Sequence, residues 1–218
     1  MKAIGNIYLS WRNGKGSRRN IVGVIKQNNT DGVRFNYIED GVIEAEKFGF
    51  TVYTDFPDLK KVYTENVLDI FGQRLTKSER SDIQKYYDFW EICSSYKDNK
   101  YYLLAHTQGL LATDNFEFLA DYNPINGLKF ISEICSLSKR ELSSNLIDVG
   151  DCLEWKKEIS NPYDKDAILV YKGNKEIGYI KKIHNRVFSK KGGENLKIRV
   201  KSIEKNGVIS RIFIVVSF

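Results

Sequence analysis

The chain has 218 residues, 42% of them hydrophobic and 28% charged, a balance that buries a core rather than leaving the chain disordered. Only 3 Pro, no low-complexity tract and no apolar run near the roughly 20 residues that cross a bilayer argue against a long disordered linker and a helical membrane span. The formal net charge of +6 is unevenly divided: residues 1–150 hold 19 Lys and Arg against 20 Asp and Glu, whereas residues 151–218 hold 15 against 8, a net of +7. Such a basic segment reads either as a surface for an anionic partner or as a Lys-rich solvated face.

The first residues, MKAIGNIYLSWRNGKG, have neither a long apolar core nor a small-residue cleavage site, so no secretory signal is expected. The three cysteines, Cys93, Cys135 and Cys152, are odd in number and scattered. Neither they nor the distant His106 and His184 have metal-ligand spacing. The expectation is a reducing, cytoplasmic setting with no cofactor and no membrane partner.

Residues 5–54 carry the β-branched and aromatic runs NIYLSW, NIVGVIK, VRFNYI and FGFTVYT, separated by Gly, Asn and Asp turn signals, and read as strands. NGKGSRRN between the first two reads as a hairpin loop, and GVIEAEKFG as a short helix or a turn. TENVLDIFGQRLT has near-helical apolar spacing. SERSDIQKYYDFWEI is predicted as a helix capped by Ser78 or Ser81, with Ile83, Tyr86, Tyr87 and Trp90 as a core stripe. KYYLLAHTQG and ATDNFEFLADY read as strands, and His106 as a structural histidine. LKFISEICSLSKRELSSN is a helix, or a strand followed by a loop, and its SLSKRELSSN part is the candidate linker.

Beyond it, CLEWKKE, AILVYKG, KEIGYIK, LKIRVKSIE and SRIFIVVSF read as five short strands, with a hairpin at Asn206-Gly207 and one helix in IKKIHNRVFSKKGG. The fold class is therefore α+β, with a mixed β/helical domain over residues 1–140 and a small barrel or curled sheet in the last third of the chain.

One stretch of that barrel, SNPYDKDAILVYKGNKEIGYIKK, sets turn chemistry at Asn161-Pro162-Tyr163-Asp164 before a strand and places Gly178 where backbones pass closely. The ordered residues Asn161, Pro162, Tyr163, Asp164, Lys165, Asp166, Ala167 and Ile168, then Ile177, Gly178, Tyr179, Ile180 and Lys182, resemble the signature of the HIRAN domain. The resemblance covers about a third of the chain and implies a domain over residues 143–218 that folds as a small SH3- or OB-like β-barrel. That family includes modules of DNA-repair ATPases and bacterial proteins, and the resemblance implies capture of single-stranded DNA at a free 3′ end.

It implies the following roles. Tyr163 stacks on a terminal base, Asp164 accepts from a 3′-hydroxyl and opposes a 3′-phosphate, and Asn161 bonds the sugar-phosphate. Lys182 neutralises a phosphate with Lys181 as its neighbour, and Tyr179 contacts backbone or base. One departure is the absence of the Arg-Tyr pair that the DNA-end-binding member of the family carries on its first strand; SSNLIDVGDCLEW has none, and Trp155 is a nearby aromatic without being an aligned replacement.

Residues 1–140 show no P-loop, metal-ligand cluster or nucleophile elbow, so no enzyme is expected there. Their β-rich start with VGVI, FNY and FGQRL bears a faint likeness to the N-terminal subdomain of HipA-type kinases, which implies a recruiting or regulatory domain that docks a protein partner. The competing readings are a regulatory protein-interaction module, antitoxin-like or a phage-defence component, and an enzyme whose site lies in residues 1–140.

Overall fold

The computed structural model describes residues 2–14, 16–137, 140 and 142–218. It divides into two compact units, Ile4–Asp121 and Tyr122–Phe218, the second joined by the start of the chain up to Ala3. Among the described residues no helix is long and apolar enough to cross a membrane.

In the first unit, strands β1 (Ile4–Trp11), β2 (Asn20–Asn28), β3 (Gly32–Tyr37) and β4 (Phe116–Tyr122) form one sheet in the order β3-β2-β1-β4. The antiparallel register puts Ile7 opposite Ile25 and Ile25 opposite Phe35, so these three fully buried side chains share one face. Phe35 then gathers the rings of Tyr37, Phe56, Tyr63 and Phe71 at centroid distances of 4.9, 5.0, 6.2 and 5.1 Å. Offset and edge-on aromatic contacts of this kind add to plain area burial. The expected hairpin loop joins β1 to β2, with Lys15 outside the described residues. GVIEAEKFG falls in helix α1 (Glu39–Glu46), and TENVLDIFGQRLT in the short α2 (Val67–Gly72). Helix α3 (Ile83–Trp90) buries Tyr87 and Trp90 of the expected stripe, but Asp82 precedes it and neither Ser78 nor Ser81 is its cap.

Two strand expectations are corrected. FGFTVYT is irregular, because Tyr53 is tied by its N–H to the Tyr37 hydroxyl at 2.9 Å and packs edge-on against Phe71 instead of joining the sheet. KYYLLAHTQG is helix α4 (Lys100–Thr107). Asn99 caps it by accepting from the Tyr102 N–H, and Gln108 ends it with a left-handed backbone. Six of its eight residues are buried, so the helical period is erased by burial on nearly every side. His106 lies within it, stacked on Tyr102 at 4.1 Å, and burial pushes its pKa down to about 3, so the ring is neutral and structural.

The second unit is a closed barrel of β5 (Lys129–Cys135), β6 (Cys152–Lys157), β7 (Ile168–Lys172), β8 (Lys175–Ile180), β9 (Lys197–Asn206) and β10 (Val208–Ser217), in the order β10-β5-β8-β7-β6-β9. Closure leaves no edge strand. The expected Asn206-Gly207 hairpin is present, with Gly207 at φ +71°. The helix candidate is a 3-10 helix over His184–Ser189.

The domain boundary expected at 140–143 moves to about residue 122. Barrel closure needs β5, whose register pairs Phe213 with Glu133 on one side and Cys135 with Tyr179 on the other. The candidate linker therefore lies inside the barrel unit: Leu142 is buried, and its carbonyl accepts from the Ile209 N–H at 3.2 Å. Ser138, Lys139 and Glu141 of that segment lie outside the described residues.

At the β5–β8 seam, a Cβ on Gly178 would meet the Cys135 carbonyl oxygen at 2.4 Å and the Ile134 Cγ2 at 2.6 Å. Only glycine lets the two strands close here, as the sequence placed it.

Candidate nucleic-acid interface

The connection between β6 and β7 is pinned at its base, where the Glu158 N–H donates to the Ala167 carbonyl at 2.9 Å. Inside it, the Asn161 Oδ1 accepts from the N–H groups of Tyr163 and Asp164 at 3.0 and 3.1 Å. Pro162, between Asn161 and Tyr163, has a fixed φ and no N–H to satisfy. The Asp164 Oδ1 repeats the device by accepting from the Asp166 N–H at 3.0 Å. Consecutive Asx-type turns leave the Tyr163 side chain nowhere to pack, and the residue is 77% exposed.

This turn forms one wall of an open groove of about 560 Å³. Asn161, Tyr163 and Asp164 line it together with Tyr179 of β8, so the structure brings four of the sequence-predicted residues to one place. The Tyr179 hydroxyl donates to the Glu158 Oε2 at 2.9 Å, and the Asn161 Nδ2 donates to the same oxygen at 2.6 Å. Two charged lining residues went unseen in the sequence. Glu158 is one. The other is Arg140, whose guanidinium lies over the Tyr179 ring at 5.4 Å and pairs with Glu176 at 2.5 Å. Arg140 comes from the supposed linker, 39 positions before Tyr179, and no spacing rule connects them.

The two lysines part company. Lys182 is exposed and makes no ion pair among the described residues, as does Lys165 in the turn. Lys181, expected beside a phosphate, is instead fully buried, with its Nζ 3.2 Å from the Glu133 Oε2. Alternation explains the difference: consecutive residues leaving a strand point to opposite sides, so adjacent lysines cannot both reach one ligand. Trp155 is also committed elsewhere. Its Nε1 donates to the Leu196 carbonyl at 3.0 Å and its ring packs edge-on against Phe188.

The lining carries one cation, Arg140, and two carboxylates, Glu158 and Asp164. Hydrogen bonding by the Asn161 amide, then by the Tyr179 hydroxyl, holds the Glu158 carboxyl below its usual range despite a partly opposing effect of burial; Arg140 and Lys156 act in the same direction. Burial, and next the Glu158 carboxylate, push the Tyr179 phenol up. A lowered folded-state pKa contributes stability above the ordinary glutamate value of about 4.3, lost as pH falls through the folded value. Acidification below the ordinary glutamate range is therefore expected to release the Asn161 amide, seen as a shift of its side-chain NMR resonances. In Glu158→Gln those resonances should lose the step.

Among the described residues no group of three or more His, Cys, Asp or Glu is placed to hold a metal.

A closed barrel with an aromatic groove on its outer wall is the class of structure these observations define. No family model matches the chain. No curated protein matches it. Two solved structures resemble it. One is the HIRAN domain of human HLTF, at 17% identity and a TM-score of 0.33, over 40% of this chain and 74% of that one. The other is a protein from Lactobacillus plantarum, at 16% identity and a TM-score of 0.32, over 40% of this chain and 92% of that one. Nothing in these comparisons supports the likeness of residues 1–140 to HipA-type kinases.

Proposed function

We propose that the barrel captures single-stranded DNA, with its terminal nucleotide in the groove beside Tyr163. The observation that carries this reading is a tyrosine 77% exposed at the rim of a groove that also holds Asn161, Asp164, Tyr179 and Arg140. An exposed ring beside hydrogen-bonding groups is the platform on which a base stacks, whatever its sequence.

Charge decides how the strand lies. Glu158 and Asp164 face the groove, so a hydroxyl donor suits its interior, and Lys165, exposed next to Asp164 in the turn, offers a cation to a phosphate. The terminus best matched to that arrangement is a free 3′-hydroxyl, as the HIRAN resemblance of residues 161–182 implies. The unit Ile4–Asp121 serves as a recruiting or regulatory domain for a protein partner, and the chain acts as a binding protein rather than an enzyme.

The test is fluorescence anisotropy with a labelled oligonucleotide ending in a 3′-hydroxyl and its 3′-phosphorylated twin, at two salt concentrations. Wild type is expected to prefer the hydroxyl end and to weaken as salt rises. Tyr163→Ala is expected to lose about 1–3 kcal/mol of affinity, roughly 5- to 150-fold, with an unchanged melting temperature because the ring is exposed. Absence of any oligonucleotide binding by the wild type would turn the groove into a docking site for protein.

A further inference from the structure

The turn that follows β8 is built against the preferences of its residues. Ile183 is β-branched and fully buried, yet it sits at φ +77°, ψ −54°, a backbone region that such a side chain almost never enters. Its neighbours fix it there. Before it, Lys181 is buried against Glu133; after it, the His184 Nδ1 is 2.9 Å from the Ser132 Oγ. The Asn185 N–H closes the turn on the Lys181 carbonyl at 2.9 Å.

The product of this strained turn is the placement of Asn185. Its side chain is buried, with the residue 1% exposed, and the Nδ2 donates to the Asp164 Oδ2 at 2.7 Å. The Oδ1 is buried with no hydrogen-bond partner among the described residues. Turning the amide over would pair the orphaned oxygen with nothing and set it against the Asp164 carboxylate, so the orientation is fixed by Asp164. A buried asparagine that leaves one end unsatisfied to hold one carboxylate oxygen is poor packing but a good clamp. The Asp164 Oδ1 is held from the other side by the Asp166 N–H, so both oxygens of the carboxylate are aimed.

We propose that Asn185 is the positioning residue that gives the groove its end selectivity. By clamping Asp164 it keeps a fixed acceptor where a terminal hydroxyl docks and a terminal phosphate is repelled. This deepens the reading of the groove as a DNA-end site and rests on it. Asn185 itself touches no ligand; it acts through Asp164.

The experiment compares wild type, Asn185→Asp and Asn185→Leu in the full chain, using the hydroxyl- and phosphate-ended oligonucleotides. Asn185→Asp keeps the shape and replaces the donor with a second carboxyl against Asp164. Asn185→Leu keeps approximate volume and removes the hydrogen bond. Loss of a hydrogen bond to a charged group is expected to reduce the hydroxyl-to-phosphate affinity ratio by about tenfold or more. In Asn185→Leu, affinity for the phosphate-ended strand should hold or rise, because the repelling carboxylate is no longer fixed. A merely structural asparagine would weaken both strands equally and leave the ratio alone, and that result overturns the assignment. If the aspartate variant fails to fold by circular dichroism, the leucine variant carries the test. A wild type that binds both ends equally would defeat the end-capture reading itself. A wild type that discriminates, with variants that discriminate undiminished, would defeat Asn185 alone.

Discussion

Arg74→Ala is expected to cost about 2–4 kcal/mol, because it removes a buried guanidinium that satisfies a carbonyl and fills space, while the Asp114 it leaves behind is 30% exposed. The Arg74 side chain is 3% exposed. Its Nη1 and Nη2 grip the two Asp114 oxygens at 2.5 and 2.8 Å, and its Nε donates to the Gly109 carbonyl at 2.8 Å. The guanidinium also lies over the Phe118 ring at 5.6 Å. Alanine would strand the Gly109 carbonyl and leave a void beside Phe118, adding desolvation and cavity costs to the lost pair. Arg74→Lys should recover only part of the loss, since an ammonium cannot make the two-pronged contact. Urea unfolding with an unchanged slope is the measurement. A loss below about 1 kcal/mol would mean that the pair is worth no more than a surface salt bridge.

The same arginine shows where the sequence was legible and where it was not. FGQRL lies in a stretch of near-helical apolar spacing, and α2 is there, but no local rule pairs Arg74 with an aspartate 40 positions later. Strands with alternating or β-branched patterns were readable, and so was the Asn206-Gly207 hairpin, because their physics is local. KYYLLAHT was misread because burial on nearly every side removes the period that separates helix from strand. The pattern of β5 fits helix and strand alike, and its closure of the barrel moves the domain boundary by about twenty residues, since strand pairing at long range has no local signature.

The groove divides in the same way. Asn161 and Asp164 were legible because an Asx turn needs those side chains at those positions, and Tyr163 follows from the turn that exposes it. Gly178 was legible because close strand approach has one solution. Arg140, Glu158 and Asn185 were not, since each reaches the site or its Asp164 through tertiary contacts. The resemblance implies one role shared by Lys181 and Lys182, whereas the backbone sends one into the protein and leaves the other outside.

That division has a large energetic consequence. Glu133→Ala is expected to destabilise the barrel by about 3–5 kcal/mol, the cost of removing one side of a buried ionic cluster. The Glu133 Oε2 faces the Lys181 Nζ at 3.2 Å, and its Oε1 accepts from the Arg211 Nε at 2.9 Å. Lys181 is fully buried, so its ammonium loses the carboxylate it faces without gaining water, whereas Arg211 is 26% exposed and keeps Glu204 at 3.5 Å. Lys181→Met should cost far less. It removes the buried charge along with its need for a counter-ion, fills similar space, and leaves Glu133 paired with Arg211. The asymmetry between the two variants in urea unfolding separates a buried structural lysine from a ligand-binding one. Oligonucleotide affinity supplies the complement: Lys181→Met should bind as wild type does, while Lys182→Ala should weaken binding and lower the salt slope by about one. If Lys181→Met were stable but lost the salt slope instead, Lys181 would be the phosphate contact after all, and its burial would have to open when DNA arrives.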